Sequence, residues 1–402
     1  MINIKFNIFD LNFILCIVGF SFITSFLDFL PSVVYRAIAL FVSIICLWKT
    51  GIKINNKGRI VKVFLFFIIL FALKLTYELY LGEYEMNSFS STKFNVMLFM
   101  YGITLIPLIS FISGYEKINW LSTLIILEFL LLAVVGYGLF NLNPDLTNNI
   151  GRVGLNARQS TLAFGDKSAF LMILSISIIL SVKNIINRDK YKKILYLLGG
   201  IGIVLSTMGV AKAASRGPFI GAILGALFLF SKLKNRYKGI CVLLASIIIV
   251  SLGINLQSLS NFAPVLFNRM VGTIETGDSS GRDVIFVEAW NKMLDEPLFG
   301  GSSVILYYDS FSGYHNAFLN MGVSLGLFAF FAYIYFFYKI CVLILTYKYS
   351  YNLDTYFTFG MIAFYIVRSI TGIGLVGDIE YCVILSMACI KLSTINNKIY
   401  YD

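Results

Sequence analysis

Long, nearly uninterrupted apolar runs dominate this chain and limit what it can fold into. Stretches such as 61–80, 120–140 and 239–257 are about 20 residues long, the length of helix that crosses the hydrocarbon core of a bilayer. Barrel strands would instead alternate apolar and polar side chains over about ten residues, and these runs do not alternate. Only 13% of the residues are charged, against roughly 25% in soluble domains, and 58% are hydrophobic. A soluble globule could not hide so much apolar surface, and a disordered chain would be far more polar. The sequence therefore predicts an all-α integral membrane protein, with residues 1–402 forming a single polytopic membrane domain.

The apolar runs lie near 9–29, 33–48, 61–80, 94–112, 120–140, 162–182, 193–211, 217–231, 239–257, 315–338, 355–371 and 375–392, which makes about twelve transmembrane helices. Lysines and arginines fix the orientation. Lys49, Lys53, Lys57, Arg59 and Lys62 follow the second run; Lys183, Arg188, Lys190, Lys192 and Lys193 follow the sixth; Lys232, Lys234, Arg236 and Lys238 follow the eighth. By the positive-inside rule these loops are cytoplasmic, and both termini are expected on that side. The net charge of +11 then reflects orientation and anionic lipid, so no nucleic acid is expected as a partner. The first run ends in Asp28-Phe29-Leu30-Pro31 without a small-residue cleavage site, so a cleaved signal peptide is not expected.

Five of the six cysteines fall within the apolar runs and Cys341 lies just past the tenth, so neither a disulfide nor a metal cluster is expected. With no CxxC, HExxH or Walker motif and a single histidine, the expected metal and cofactor complement is none. Charge on the outer side concentrates in one large (periplasmic) loop, 258–314, between helices 9 and 10. Within it, 282–294 reads as an amphipathic helix with Val284, Val287, Trp290 and Leu294 on one stripe. Such a helix suits the outer membrane–water interface, with Trp290 as its anchor. A surface helix that merely covers the bundle is the competing reading.

Arginines mark three places on the same side. Ser215-Arg216-Gly217-Pro218 stands at a helix start, where Ser215 is a candidate N-cap and Pro218 fits the first turn. The positive end of the helix dipole beside Arg216 would suit phosphate or pyrophosphate. Arg152 and Arg158 precede the sixth run, and Arg282 begins the amphipathic helix. Arg368 and Lys212 are expected near the same outer face. For any one of these, an ion pair or a snorkelling side chain is the bland alternative; several together point to a bound anion. His315 opens the tenth run, and imidazole can accept a hydroxyl proton near neutral pH. Asn316 beside it is a candidate for positioning a substrate hydroxyl or the His ring. Glu288, Asp378 and Glu380 are the reserve candidates for a base. Lys74, with Glu78 at i+4, and Glu128 lie deep in their runs, where charges are costly and paired or functional.

In order and spacing, Ser215-Arg216-Gly217, Ser280-Gly281-Arg282, Pro297-Leu298-Phe299-Gly300-Gly301, His315-Asn316-Ala317-Phe318-Leu319 and Gly322 to Gly326-Leu327 resemble the O-antigen polymerase and O-antigen ligase superfamily. The resemblance covers about 210–330 by motif and the whole chain by its layout of spans. One departure is that the family often has Trp early in the amphipathic helix, where this chain has Phe286 and places Trp290 later. The resemblance implies a metal-independent, inverting glycosyltransferase of the bacterial cytoplasmic (inner) membrane that works at the periplasmic face. Its donor would be an undecaprenyl-pyrophosphate-linked oligosaccharide, and a chain-length regulator protein would be a partner. It further implies His315, Arg216 and Arg282 as catalytic residues, with Arg152, Arg158, Asn316 and Arg368 binding substrate. Polymerase is the first reading and ligation of the glycan to lipid A core the second. A multi-span transporter or oligosaccharide flippase is the reading from another class; a site at the bilayer midplane, near Lys74 or Glu128, would distinguish it.

Overall fold

The computed structural model describes residues 5–18, 32–54, 57–81, 97–140, 143–147, 153–154, 161–185, 189–213, 215–232, 271, 282–301, 314, 316–346, 352–371 and 378–399. These form helices α1 (Ile8–Val18), α2 (Ser32–Thr50), α3 (Arg59–Leu81), a π-helical segment (Leu98–Leu105) running into α4 (Ile106–Gly114), α5 (Trp120–Phe140), α6 (Thr161–Ile185), α7 (Asp189–Lys212), α8 (Arg216–Ser231), α9 (Arg282–Asp295), α10 (Ala317–Leu325), α11 (Leu327–Thr346), α12 (Leu353–Thr371) and α13 (Ile379–Ile399). The one sheet among the described residues is a ribbon of β1 (Asn143–Thr147) and β2 (Val153–Gly154), paired antiparallel.

Among the described residues, five helices are long and apolar enough to cross a membrane: Arg59–Leu81, Trp120–Phe140, Phe164–Lys183, Tyr191–Lys212 and Leu327–Thr346. Ile8–Val18, Ala37–Thr50 and Arg216–Ser231 are shorter apolar helices. The expected count of about twelve is thus met only in part. The run at 239–257 lies outside the described residues. The run at 315–338, expected as one span, is broken: Gly326, at φ 92° and ψ 175°, ends α10 and α11 begins at the next residue. Proline explains a second departure. Pro107 has no N–H to give Ile103, and the helix before it widens to π register, with Ile106 donating to the Tyr101 carbonyl.

The chain divides into two compact units, Met1–Thr123 with Ser280–Tyr349 and Arg368–Asp402, and Leu124–Ser279 with Ser350–Val367. In the first unit, α1 packs on α2, α4 and α13, while α10 packs on α3, α9 and α11. Buried polar side chains join these helices. Asn12 bridges Ser43 (2.9 Å) and Ser110 (3.2 Å), linking α1, α2 and α4. Asp10, fully buried, accepts hydrogen bonds from the Asn7 N–H (2.7 Å), the Asn119 N–H (2.7 Å), Asn119 Nδ2 (3.3 Å) and the Thr123 hydroxyl (2.7 Å). Four donors meet the cost of sealing a carboxylate away from water.

In the second unit α6 and α7 form a tight pair because glycines leave room for the facing backbone. A Cβ on Gly199 would lie 3.0 Å from the Ser175 carbonyl, and one on Gly209 would lie 2.3 Å from Ser168 Oγ. Gly225 of α8 and Gly360 of α12 each approach Ile173 of α6 in the same way. Phe170 meets Phe364 edge-on, with ring centroids 5.6 Å apart.

Candidate functional site

The motif residues of the first unit fold onto one another. Helix α9 turns Ala289 and Met293 inward, both fully buried, and leaves Val284, Val287, Trp290 and Leu294 41–67% exposed. The apolar stripe read from the sequence is therefore not the face that α9 buries against the protein. Trp290 meets Phe330 edge-on at 6.1 Å while keeping much of its surface outward. On the polar side Lys292 donates to Glu288 at 2.7 Å, with Glu one turn N-terminal to Lys, the favourable order on a helix. Its ammonium also lies 5.6 Å from the centroid of the Tyr314 ring. Partial burial pulls the Lys292 amine downward, but the bond to Glu288 and the contact with Tyr314 outweigh it, so the net shift is upward.

After α9 the chain turns through Pro297–Gly301. Gly300 adopts φ 73°, and a Cβ there would lie 2.6 Å from the Val323 carbonyl oxygen and 2.7 Å from the Leu325 nitrogen. Gly326 answers from the other strand of the contact, where a Cβ would lie 2.6 Å from the Pro297 oxygen and 2.7 Å from that of Leu298. Between them, Leu327 donates its N–H to the Pro297 carbonyl at 2.8 Å. Gly322 lets α9 approach α10, since a Cβ would fall on Met293 Sδ. Two stretches that carry the family resemblance, Pro297–Gly301 and Gly322–Leu327, thus interlock backbone to backbone, with α9 packed on Gly322 through Met293, and glycine is required at the two positive-φ positions.

His315 lies outside the described residues, but both of its neighbours are pinned. Tyr314 donates its N–H to Asn320 Oδ1 (2.9 Å), and Asn316 caps α10 by accepting from the Phe318 (2.9 Å) and Leu319 (3.1 Å) N–H groups. Asn316 spends its carbonyl oxygen on that cap, leaving Nδ2 as the group available to a substrate or an imidazole. Asn320, which no sequence signal singled out, carries as much of this geometry as Asn316.

In the second unit Arg216 begins α8 and is half-buried, with Gly217 and Pro218 buried behind it. Ser215 holds the N-cap position in extended backbone and its carbonyl accepts from Phe219 (3.2 Å), but its side chain makes no cap hydrogen bond. Pro218 stands in the first turn, as its fixed φ favours. Arg152 and Arg158 lie outside the described residues, as does the side chain of Arg282, whose backbone is the first residue of α9. Arg368 is 2% exposed, buried in its helix.

Each deep charge has a partner within its own unit: Lys74 pairs with Glu78 at 3.3 Å on α3, and Glu128 Oε1 accepts a 2.5 Å hydrogen bond from Ser175. Lys167 was not singled out as a deep charge, yet it is 1% exposed, with its ammonium 4.8 Å from the centroid of Phe170. The signal was there: Asp166-Lys167 heads the sixth apolar run with an aromatic three residues on.

A family model described as O-antigen ligase matches residues 201–334. No curated protein matches the chain. The matched stretch holds Arg216, α9, the Pro297–Gly301 turn, α10 and the opening of α11. Residues 201–334 therefore match the O-antigen ligase family, and that match supports the resemblance to the O-antigen ligase and polymerase superfamily.

Proposed function

We propose that this protein is a surface-polysaccharide (O-antigen) polymerase that joins undecaprenyl-pyrophosphate-linked repeat units at the periplasmic face of the bacterial inner membrane. The observation that carries the reading is the interlocked block of α9, the Pro297–Gly301 turn and α10, which lies wholly within the matched family domain. In the reaction the acceptor hydroxyl loses its proton to His315 as its oxygen bonds to the anomeric carbon. The anomeric C–O bond to pyrophosphate breaks from the opposite side, inverting that carbon, and the bonding pair leaves with undecaprenyl pyrophosphate. Arg216 and Arg282 stabilise the charge that grows on the leaving group, with Arg152, Arg158 and Arg368 assisting in binding. Asn316 holds the start of α10 beside the base. A chain-length regulator is the expected protein partner.

The second reading is a ligase that transfers the finished glycan to lipid A core, favoured by the description of the matching family model. Glycan banding separates the two in a deletion strain complemented with wild type, Arg216→Ala or His315→Ala at matched membrane expression. A polymerase deletion leaves one repeat unit on the core and no ladder. A ligase deletion leaves bare core and accumulates lipid-linked polymer. An unchanged ladder, with no redundant enzyme, overturns both and returns the chain to the transporter reading.

A further inference from the structure

The connection between α2 and α3, within the first unit, carries side chains that a turn does not need. Arg59 opens a helix of membrane length, so the stretch 48–54 that leads into it lies at a bilayer surface. Trp48, in the last turn of the apolar α2, is 87% exposed and Ile52 is 71% exposed, with Lys49 and Lys53 exposed beside them. A tryptophan at the end of an apolar helix belongs at headgroup depth, which puts both ammonium groups at the level of lipid phosphate. Internal bonds hold the stretch in shape. Gly51, at φ 65°, ends α2 by donating to the Leu47 carbonyl (2.7 Å), and the Lys53 N–H donates to Ser113 Oγ (3.2 Å). Lys57 is buried and taken up by Glu116, whereas Lys49 and Lys53 stay exposed.

We infer that this connection binds an anionic phospholipid, with Lys49 and Lys53 on the phosphate and Trp48 and Ile52 against the glycerol and upper acyl chains. Charge complementarity favours that occupant. Within residues 1–123 the described carboxylates are Asp10, Glu78 and Glu116. Asp10 is buried under four donors, and Glu78 is paired with Lys74 toward the far end of α3. Glu116, the one near Lys53, is held by Lys57. The patch is therefore cationic, and exposed Lys117 next to Glu116 adds to it. A zwitterionic lipid carries its own cation beside the phosphate and gains little there, whereas an anionic one gains from each lysine. An acidic protein would suit the lysines but not two apolar side chains held at headgroup depth. The site stands apart from the glycosyl-transfer reading, because none of these residues is among the groups proposed for the reaction.

The test uses the full-length protein in phosphatidylcholine nanodiscs and phosphatidylglycerol brominated on its acyl chains. The Trp48 fluorescence, read as the difference between wild type and Trp48→Phe, should be quenched more strongly by this lipid than by phosphatidylcholine brominated in the same way. Replacing Lys49 and Lys53 together by Gln should weaken that preference about thirtyfold, the contribution of two lysines at a membrane surface. Arg at both positions should restore it, which separates lost charge from lost fold. Lys183→Gln with Lys193→Gln removes the same charge from the facing ends of α6 and α7, where both lysines are exposed, and should leave the preference at Trp48 unchanged. Equal quenching by the two lipids, or no loss in the Lys49 and Lys53 double variant, overturns the inference. An equal loss in the control pair overturns it in favour of diffuse attraction by basic loops. Displacement of the lipid by polyglutamate at matched charge overturns it in favour of an acidic protein.

Discussion

Leu327 donates its backbone N–H to the Pro297 carbonyl across 2.8 Å, and glycines at positive φ on either side make that approach possible. Gly300 and Gly301 are neighbours with opposite requirements. A Cβ on Gly300 would press into the backbone of 323–325, whereas one on Gly301 meets only the Val323 oxygen at 3.9 Å. Gly300→Ala and Gly326→Ala should each cost roughly 2–4 kcal/mol, combining left-handed strain with overpacking. Gly301→Ala should stay within about 0.5 kcal/mol of wild type. Thermal unfolding followed with a thiol-reactive dye suits the comparison, because Cys16, Cys46, Cys382 and Cys389 are buried in the folded protein.

Asn316 separates a structural from a chemical role at the head of α10. Its Oδ1 serves both the Phe318 and Leu319 N–H groups, and aspartate can do the same. Asn316→Ala should lose about 1 kcal/mol of stability, the usual value of an N-cap, and Asn316→Asp should lose almost none. If the cap is what positions His315, polymer length in the complemented strain should follow the same order. Wild-type ladders from Asn316→Ala would remove Asn316 from the site.

What was legible in the sequence was what apolar length and motif order encode. The runs at 61–80, 120–140 and 193–211 correspond to membrane-length helices, and α9 occupies the stretch read as amphipathic. The break at Gly326 was not legible, because hydropathy is blind to one residue's φ and Gly326 lies inside an otherwise unbroken apolar run. What covers the apolar stripe of α9 was not legible for a related reason. Periodicity finds an apolar stripe but does not say whether protein or lipid covers it, and here Ala289 and Met293, a smaller face, are what the protein buries. Asp10 was passed over because one aspartate near a run's edge looks solvated, and its donors Asn119 and Thr123 lie more than a hundred positions away.

Glu128 gives a test of burial chemistry in the second unit. Its side chain is fully buried, Oε1 accepts from Ser175, and Oε2 has no hydrogen-bond partner among the described residues. A Cβ on Gly202 would lie 2.0 Å from Ser175 Oγ and 2.6 Å from Glu128 Oε1, so α7 closes over the pair. Glu128→Gln retains an acceptor for Ser175 and removes the carboxylate, and should leave stability unchanged or raise it. Ser175→Ala strips that acceptor of its donor and should cost about 1–3 kcal/mol. Gly202→Val should be worse than either. Sharply lower stability for Glu128→Gln would mean that the carboxylate answers a cation, and would revive the midplane-site reading.

Lys57 and Glu116 supply the pH dependence that the described charges support. Lys57 is buried and its ammonium donates to Glu116 Oε1 at 2.5 Å, while the Glu116 side chain is 78% exposed. That hydrogen bond, and then the charge of Lys57, hold the Glu116 carboxyl below its ordinary range. A carboxyl with a depressed folded pKa stabilises the protein above its unfolded value of about 4.3, and the contribution drains away as pH falls through the lower folded value. Solvent screening at so exposed a carboxylate keeps the effect within about 1 kcal/mol. Glu116→Gln should therefore unfold slightly earlier than wild type at neutral pH, with the gap closing below about pH 4. Thermal midpoints of the two proteins across that range check the sign, and a gap that widens in acid would contradict the pairing.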